Sequence, residues 1–223
     1  MNVTEAVLTR RSVRAFRDEP VPLETLRDIL GKAARAPSNS NIQPWLVCVV
    51  AGRKIAELKA LMRERRQQEP RFDDLQYSIY PAELRDPYLT RRFNCGERQY
   101  GKMGIARDDV EGRRDYVFNN MQFFGAPVGL FCFIERDMGN SQWADLECYI
   151  QTVMLLLREA GIDSCVQISW CMYARTLCEF FGVPDNWTLY CGMSIGYADP
   201  QAPINSVVAD RAPVEETVRF VLD

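Results

Sequence analysis

Residues 10–16 read Arg10-Arg11-Ser12-Val13-Arg14-Ala15-Phe16, directly after a short apolar run of Val3, Ala6, Val7 and Leu8. Three arginines and a serine fall within five residues. A guanidinium presents several N–H donors in a fixed fork that matches phosphate oxygens, and a neighbouring hydroxyl adds one more donor. The stretch therefore reads either as an anchor for a phosphorylated small molecule or as a solvated basic turn. A second stretch, Ala36-Pro37-Ser38-Asn39-Ser40-Asn41-Ile42-Gln43-Pro44-Trp45, opens as a loop rich in turn-formers. Its amides and hydroxyls either orient a ligand or bond their own backbone.

Around these stretches the composition is that of a globule. The chain has 223 residues, 47% of them hydrophobic, and a net charge of −3. That length fits one domain, 1–223, with an irregular excursion at about 69–112. A general basic footprint for nucleic acid is absent. No apolar run approaches the roughly 20 residues of a membrane helix, and the N-terminus lacks a signal-peptide core. Eight cysteines are scattered without a Cys-x-x-Cys pair, and histidine is absent. Common Cys/His zinc sites are thereby disfavoured, and the usual histidine base of catalytic triads is missing. Free, mostly buried thiols in a reducing cytoplasm are expected, Cys165 among them as an inert thiol.

Taken in order, residues 2–9 read as a short helix and Leu23–Ala34 as an amphipathic one, with Leu26, Ile29, Leu30 and Ala33 at helical spacing. Trp45–Val50 is a strand-like run and Arg53–Gln68 a charged helix. Residues 69–112 carry prolines and aromatics and read as a binding lid or intersubunit arm, or as a mobile insertion. Arg113–Phe124 resumes a helix, Val128–Ile134 a strand, and Trp143–Ala160 a long helix closed by Gly161. Ser164–Ser169 is a strand, Ala174–Phe181 a helix and Thr188–Ile195 a strand. A tail follows that ends in a helical or strand-like piece at Val214–Leu222. Helices alternating with short apolar strands predict an α/β or α+β sandwich, without fixing strand order.

The two quoted stretches, in this order and at this separation, resemble the flavin-dependent nitroreductase family. The middle segment from Tyr80-Pro81 to Arg107-Asp108-Asp109 resembles the branch acting on nitrobenzoates and related nitroaromatics, and matches continue to residue 211. The resemblance implies an α+β three-layer sandwich, with a mixed central sheet flanked by helices and a C-terminal tail exchanged in a homodimer. It implies FMN, NADH or NADPH as hydride donor, and ping-pong transfer through flavin N5 to a nitroaromatic. Related chemistries on the same fold are reduction of a quinone, an enone or a halogenated aromatic, or flavin binding without turnover.

Carried over residue by residue, the resemblance sets Arg10, Arg11 and Ser12 at the flavin's phosphate and ribityl end, and Arg14 at the pyrimidine edge. Arg211 is the matching C-terminal phosphate arginine. Ala209 stands where many relatives carry lysine, so Arg11 would supply that charge. Pro37, Ser38, Asn39, Asn41 and Gln43 match the loop that reaches the partner subunit's flavin. Asn119 and Gln122, three apart on a predicted helix, match contacts to the pyrimidine edge. A neutral amide at 122, where relatives often carry a base, implies a lowered midpoint potential. Val166, Gln167, Ile168 and Ser169 match the strand beside N5, with the Ile168 N–H as its donor. Phe123, Phe124 and Trp170 are candidate substrate walls. Chemistry at a cofactor leaves no catalytic side chain to name.

Overall fold

The two central strands are buried along nearly their whole length because both of their faces are covered. In the computed structural model, which describes residues 1–222, four strands form one sheet. These are β1 (Leu46–Ala51), β2 (Val128–Glu135), β3 (Asp163–Gln167) and β4 (Trp187–Gly196), in the spatial order β1-β2-β4-β3. Along β2, Val128, Leu130, Cys132 and Ile134 join one buried cluster while Phe131 and Phe133 join the other. This is the two-sided use of a period-2 element.

One face is covered by α2 (Leu23–Ala33) and α6 (Asn140–Glu159), which contribute Leu26, Ile29, Leu146, Ile150, Val153 and Leu157. The other is covered by α3 (Gly52–Arg65) and α7 (Ala174–Phe181), through Ile55, Leu58, Met62 and Leu177. The expected three-layer sandwich is thus present, but its sheet is less mixed than expected. All strand pairs are antiparallel, and the parallel pairing is confined to a bridge between Ser12 and Ser164.

α1 (Val3–Thr9) starts with a capping box in which Asn2 and Glu5 satisfy each other's backbone N–H groups. Three further departures matter for the site. Residues 69–112 hold a 15-residue helix, α4 (Tyr88–Lys102). Its sequence has Leu89, Phe93 and Tyr100 on one helical face, and Asp86 accepts the Thr90 N–H at 3.1 Å. The helix predicted to run to Phe124 ends as α5 (Val110–Phe118) and gives way to a 3₁₀ turn, Asn119–Gly125. There Phe123 and Phe124 take left-handed φ of 54° and 53°, which breaks the helical phase. The strand after Gly161 stops at Gln167, and a second 3₁₀ turn spans Ile168–Tyr173. A last short helix, α8, covers Val214–Thr217.

Candidate active site

The arginine stretch leaves α1 in extended conformation and runs onto the free edge of β3. Val13 N–H donates to the Ser164 carbonyl at 3.0 Å and Phe16 N–H to the Phe124 carbonyl at 3.1 Å, while the Val13 and Phe16 side chains enter the core. These anchors fix the backbone and leave Arg10, Ser12 and Arg14 half-buried and Arg11 exposed. Arg17, just beyond, pairs with Glu19 at 3.0 Å. Arg10, Arg11 and Arg14 have no carboxylate partner among the described residues; the Arg14 guanidinium reaches the Ser12 carbonyl at 3.4 Å. The result is a patch of uncompensated positive charge at a sheet edge.

Below it lies Cys165. Burial pushes its thiol up, against the opposing charge of Arg14, a bond with Ser12 and the charge of Arg10. The thiol is free and buried, as expected. Tyr116 of α5 also feels Arg14: burial pushes its phenol up to about 12 while that charge pulls it down. The protonated phenol donates to Gln99 of α4 at 2.9 Å and packs edge-on to Tyr100 at 5.5 Å. The helix hidden in the middle segment is thereby tied towards the arginine stretch.

The C-terminal tail reaches the same place through Asn205, which is buried. Its Oδ1 accepts the Arg14 N–H at 2.8 Å, and its Nδ2 donates to the carbonyls of Ala15 at 2.8 Å and Asp199 at 2.9 Å. Further on, the Arg211 guanidinium donates to the carbonyls of Ala209 at 3.2 Å and Asp210 at 2.8 Å. It sits in the cleft between the tail and α4, beside Arg91, Asn94 and Arg98.

The loop 37–43 is held from beneath by the buried Asp145 of α6, which accepts from Ser38 Oγ at 3.1 Å and the Asn39 N–H at 2.9 Å. Ser38 Oγ in turn accepts the Gln43 N–H at 2.8 Å. Ser40, Asn41 and Gln43 all carry left-handed φ, of 51°, 58° and 54°. Three such non-glycine residues in one loop are costly and persist only where the surroundings over-determine them. Pro37, Asn39, Asn41 and Gln43 are exposed. The side chain of Ser38, expected to point at a ligand, is instead committed to this internal network.

Several other expectations change. Gln122 faces α3: its Oε1 accepts from Arg63 at 2.7 Å and its Nε2 donates to the Lys59 carbonyl at 3.2 Å. Asn119, at the start of the same 3₁₀ turn, is exposed and shares none of these bonds. The residue of that turn facing β3 is Asn120, whose carbonyl accepts from Gln167 at 2.7 Å. Gln167 is itself buried, and its Oε1 accepts from Ser194 at 2.6 Å and Trp170 Nε1 at 3.4 Å. Its side chain is a satisfied core amide. Val166, Ile168 and Ser169 remain half-buried beside it.

Phe123, Phe124 and Trp170 are core residues, not walls. Phe123 and Trp170 are fully buried, 4.9 Å apart between ring centres, and both pack on Phe131. Glycines make their room: a Cβ on Gly192 would lie 2.3 Å from the Trp170 ring, and one on Gly129 2.3 Å from Phe123.

The model of the nitroreductase family matches residues 7–197. The chain belongs to the nitroreductase family. The match spans the arginine stretch, the 37–43 loop, both 3₁₀ turns and the whole sheet of this nitroreductase-family chain. A 4-nitrobenzoate reductase of Nocardioides sp. (strain LMS-CY) is 39% identical over 216 residues, covering 96% of this chain and 87% of that protein. A chloronitrobenzene nitroreductase of Comamonas testosteroni is 35% identical over 223 residues, covering 98% and 96%. Among solved structures, the FMN and NADPH-dependent nitroreductase NfnB from Sphigopyxis sp. strain HMH superposes with a TM-score of 0.96 at 41% identity, covering 100% of both chains. The FMN-dependent nitroreductase NfnB from Mycobacterium smegmatis, in complex with NADPH, gives 0.93 at 36% identity, covering 98% of this chain and 97% of that one. Among the described residues, no helix is long and apolar enough to cross a membrane.

Proposed function

We propose that this chain is an FMN-dependent, NADPH- or NADH-consuming reductase of nitroaromatic compounds. The observation that carries the reading is the set of three guanidiniums, Arg10, Arg11 and Arg14, left without carboxylates beside Ser12 at the edge of β3. Half-buried charge without a partner, as at Arg10 and Arg14, is costly, and a phosphorylated ligand removes that cost, with the exposed Arg11 free to join it. The relatives named for FMN and NADPH support the same cofactor and donor.

The chain's own residues fit FMN. Arg10, Arg11 and Ser12 would hold the phosphate and ribityl end, and Arg14 the pyrimidine edge, together with Asn119 or its neighbour Asn120. The backbone at Val166, Ile168 and Ser169 would lie along the ring, with the Ile168 N–H as a donor. Bound there, the flavin supplies a hydride carrier between nicotinamide and nitro group. The protein's part is to position it and shape the charge around it. Arg63, bonded to Gln122, offers the cationic charge that Gln122 itself lacks. Arg211 would close on the phosphate from the tail.

The exposed polar groups of Pro37, Asn39, Asn41 and Gln43, held in strained backbone, support a loop that reaches a partner subunit's flavin in a homodimer with exchanged tails. Eight free cysteines support a cytoplasmic location, and the contiguous three-layer packing supports a single domain over 1–223. The test is anaerobic oxidation of NADPH with 4-nitrobenzoate, nitrobenzene and a quinone in parallel. Nitro compounds are expected to be reduced to nitroso, hydroxylamine or amine products. Turnover of the quinone alone, with every nitro compound inert, would overturn the reading.

A further inference from the structure

A cavity of about 340 Å³ opens between the end of α3, the strap at 71–73, α5 and the two 3₁₀ turns. That is within the range of small-ligand pockets. Its walls are apolar and aromatic, chiefly Phe72, Val117, Phe118, Met121 and Tyr173, and four guanidiniums stand around them, those of Arg66, Arg71, Arg113 and Arg114. Phe72 is 45% exposed and Val117 43%, and Phe72 packs edge-on to Tyr173 at 5.7 Å between ring centres. Met121 and Tyr173 belong to the same turns that carry Asn120 and Ser169, so the cavity backs onto the candidate active site.

Three of the four arginines are neutralised. Arg66 pairs with Asp115 and lies 4.6 Å from the Phe118 ring centre. Arg113 pairs with Glu97 at 3.0 Å and stacks on Tyr100 at 4.1 Å. Arg114 pairs with Glu111 at 2.5 Å. Arg71 alone of the four has neither a carboxylate nor a hydrogen-bond acceptor among the described residues. Its side chain is exposed, but the backbone that carries it is pinned, because Asp73 two positions on is a buried hub. The Asp73 carboxylate accepts from the Thr176 N–H at 2.8 Å, Thr176 Oγ1 at 3.2 Å and Arg65 at 3.3 Å, and its own N–H donates to the Met172 carbonyl at 2.8 Å. A pinned strap thus brings one exposed, unpaired guanidinium to the rim of an apolar, aromatic-walled cavity. An uncharged ligand would leave that cation unmatched, and a phosphorylated one would waste the walls. A flat ring bearing one carboxylate matches both.

We propose that this cavity binds a planar aromatic carboxylate, with the ring against Phe72, Phe118 and Tyr173 and the carboxylate on Arg71. The inference rests on the nitroreductase reading only in making nitrobenzoates the reducible members of this class; the site itself is tested by unreactive ligands. Calorimetric titration of the protein as purified, without nicotinamide, compares benzoate with its neutral analogue benzamide. Benzoate is expected to bind about tenfold tighter than benzamide, the worth of one exposed charge-assisted pair. Arg71→Gln should remove that preference and leave benzamide unchanged, while Arg71→Lys retains part of it. Val117→Trp, which fills the cavity, should weaken both ligands. Benzoate binding that survives Val117→Trp, or an Arg71→Gln variant that keeps the preference or loses both ligands equally, overturns the proposal. Benzoate bound as described by a protein that turns over no nitro compound would overturn the nitroreductase reading and leave the site standing.

Discussion

Asn205 Oδ1 accepts the backbone N–H of Arg14 at 2.8 Å across 191 positions of sequence. This contact, with the amide's two further bonds, joins the start of the chain to its tail at the edge of β3. Asn205→Ala should strand a half-buried N–H and two carbonyls and lower the unfolding free energy by about 1–3 kcal/mol. Urea unfolding measures it. Hydrogen exchange at 203–213 should rise in the same variant; unchanged protection there would mean the clamp does not hold the tail.

Arg10 and Arg211 are expected to differ in weight. A hydrogen bond to a charged group is worth roughly 1.5–3 kcal/mol, so Arg10→Ala should weaken FMN by about one to two orders of magnitude. Riboflavin, which lacks the phosphate, should hardly respond. Arg211 already commits one nitrogen, Nη1, to its own tail's carbonyls, so Arg211→Ala should cost FMN less than Arg10→Ala does. Titration of the apoprotein with both flavins decides; equal losses for FMN and riboflavin would make Arg10 structural.

The 37–43 loop depends on one carboxylate. Asp145→Ala removes the acceptor shared by Ser38 and the Asn39 N–H, and should destabilise the fold by about 1–3 kcal/mol while freeing the loop's left-handed residues. Faster exchange confined to residues 38–43, together with weaker flavin retention at micromolar protein, is the expected pattern.

Trp170 is expected to act through packing. Gly192→Ala places a methyl group where the indole lies and should cost about 1–3 kcal/mol by overpacking. Trp170→Ala should cost about 3–5 kcal/mol. Thermal unfolding reads both. A variant of full stability with an altered KM for nitro compounds would return Trp170 to the substrate wall.

What the sequence disclosed divides by physical scale. The apolar runs of β2 and β4 and the face of α6 were legible because burial writes a direct pattern. The arginine stretch was legible because guanidiniums and a hydroxyl carry their chemistry in their type. α4 was hidden by Gly96, Gly101 and three prolines nearby, although Leu89, Phe93 and Tyr100 kept helical spacing. The left-handed pair Phe123–Phe124 left no such trace, since only tertiary packing compels those φ values. The end of α5 at Phe118 left none either, and the 3₁₀ turn that follows sets Gln122 against α3 and the Asn120 carbonyl against β3. The glycines opposite Trp170 and Phe123 were a signal that could have been used, since glycine inside a strand marks close approach. Asn205, Asp145 and Asp73 are ordinary polar letters until the fold buries them.

The unpaired arginines at the edge of β3 are expected to hold the phosphate of FMN. The most direct measurement is the identity and amount of flavin released by heat from the purified protein, followed by its absorbance before and after NADPH under anaerobic conditions. FMN is expected at about one per chain, retained far better than riboflavin, with its visible band bleached by NADPH. Recovery of FAD, or of no flavin after reconstitution with FMN, would contradict it.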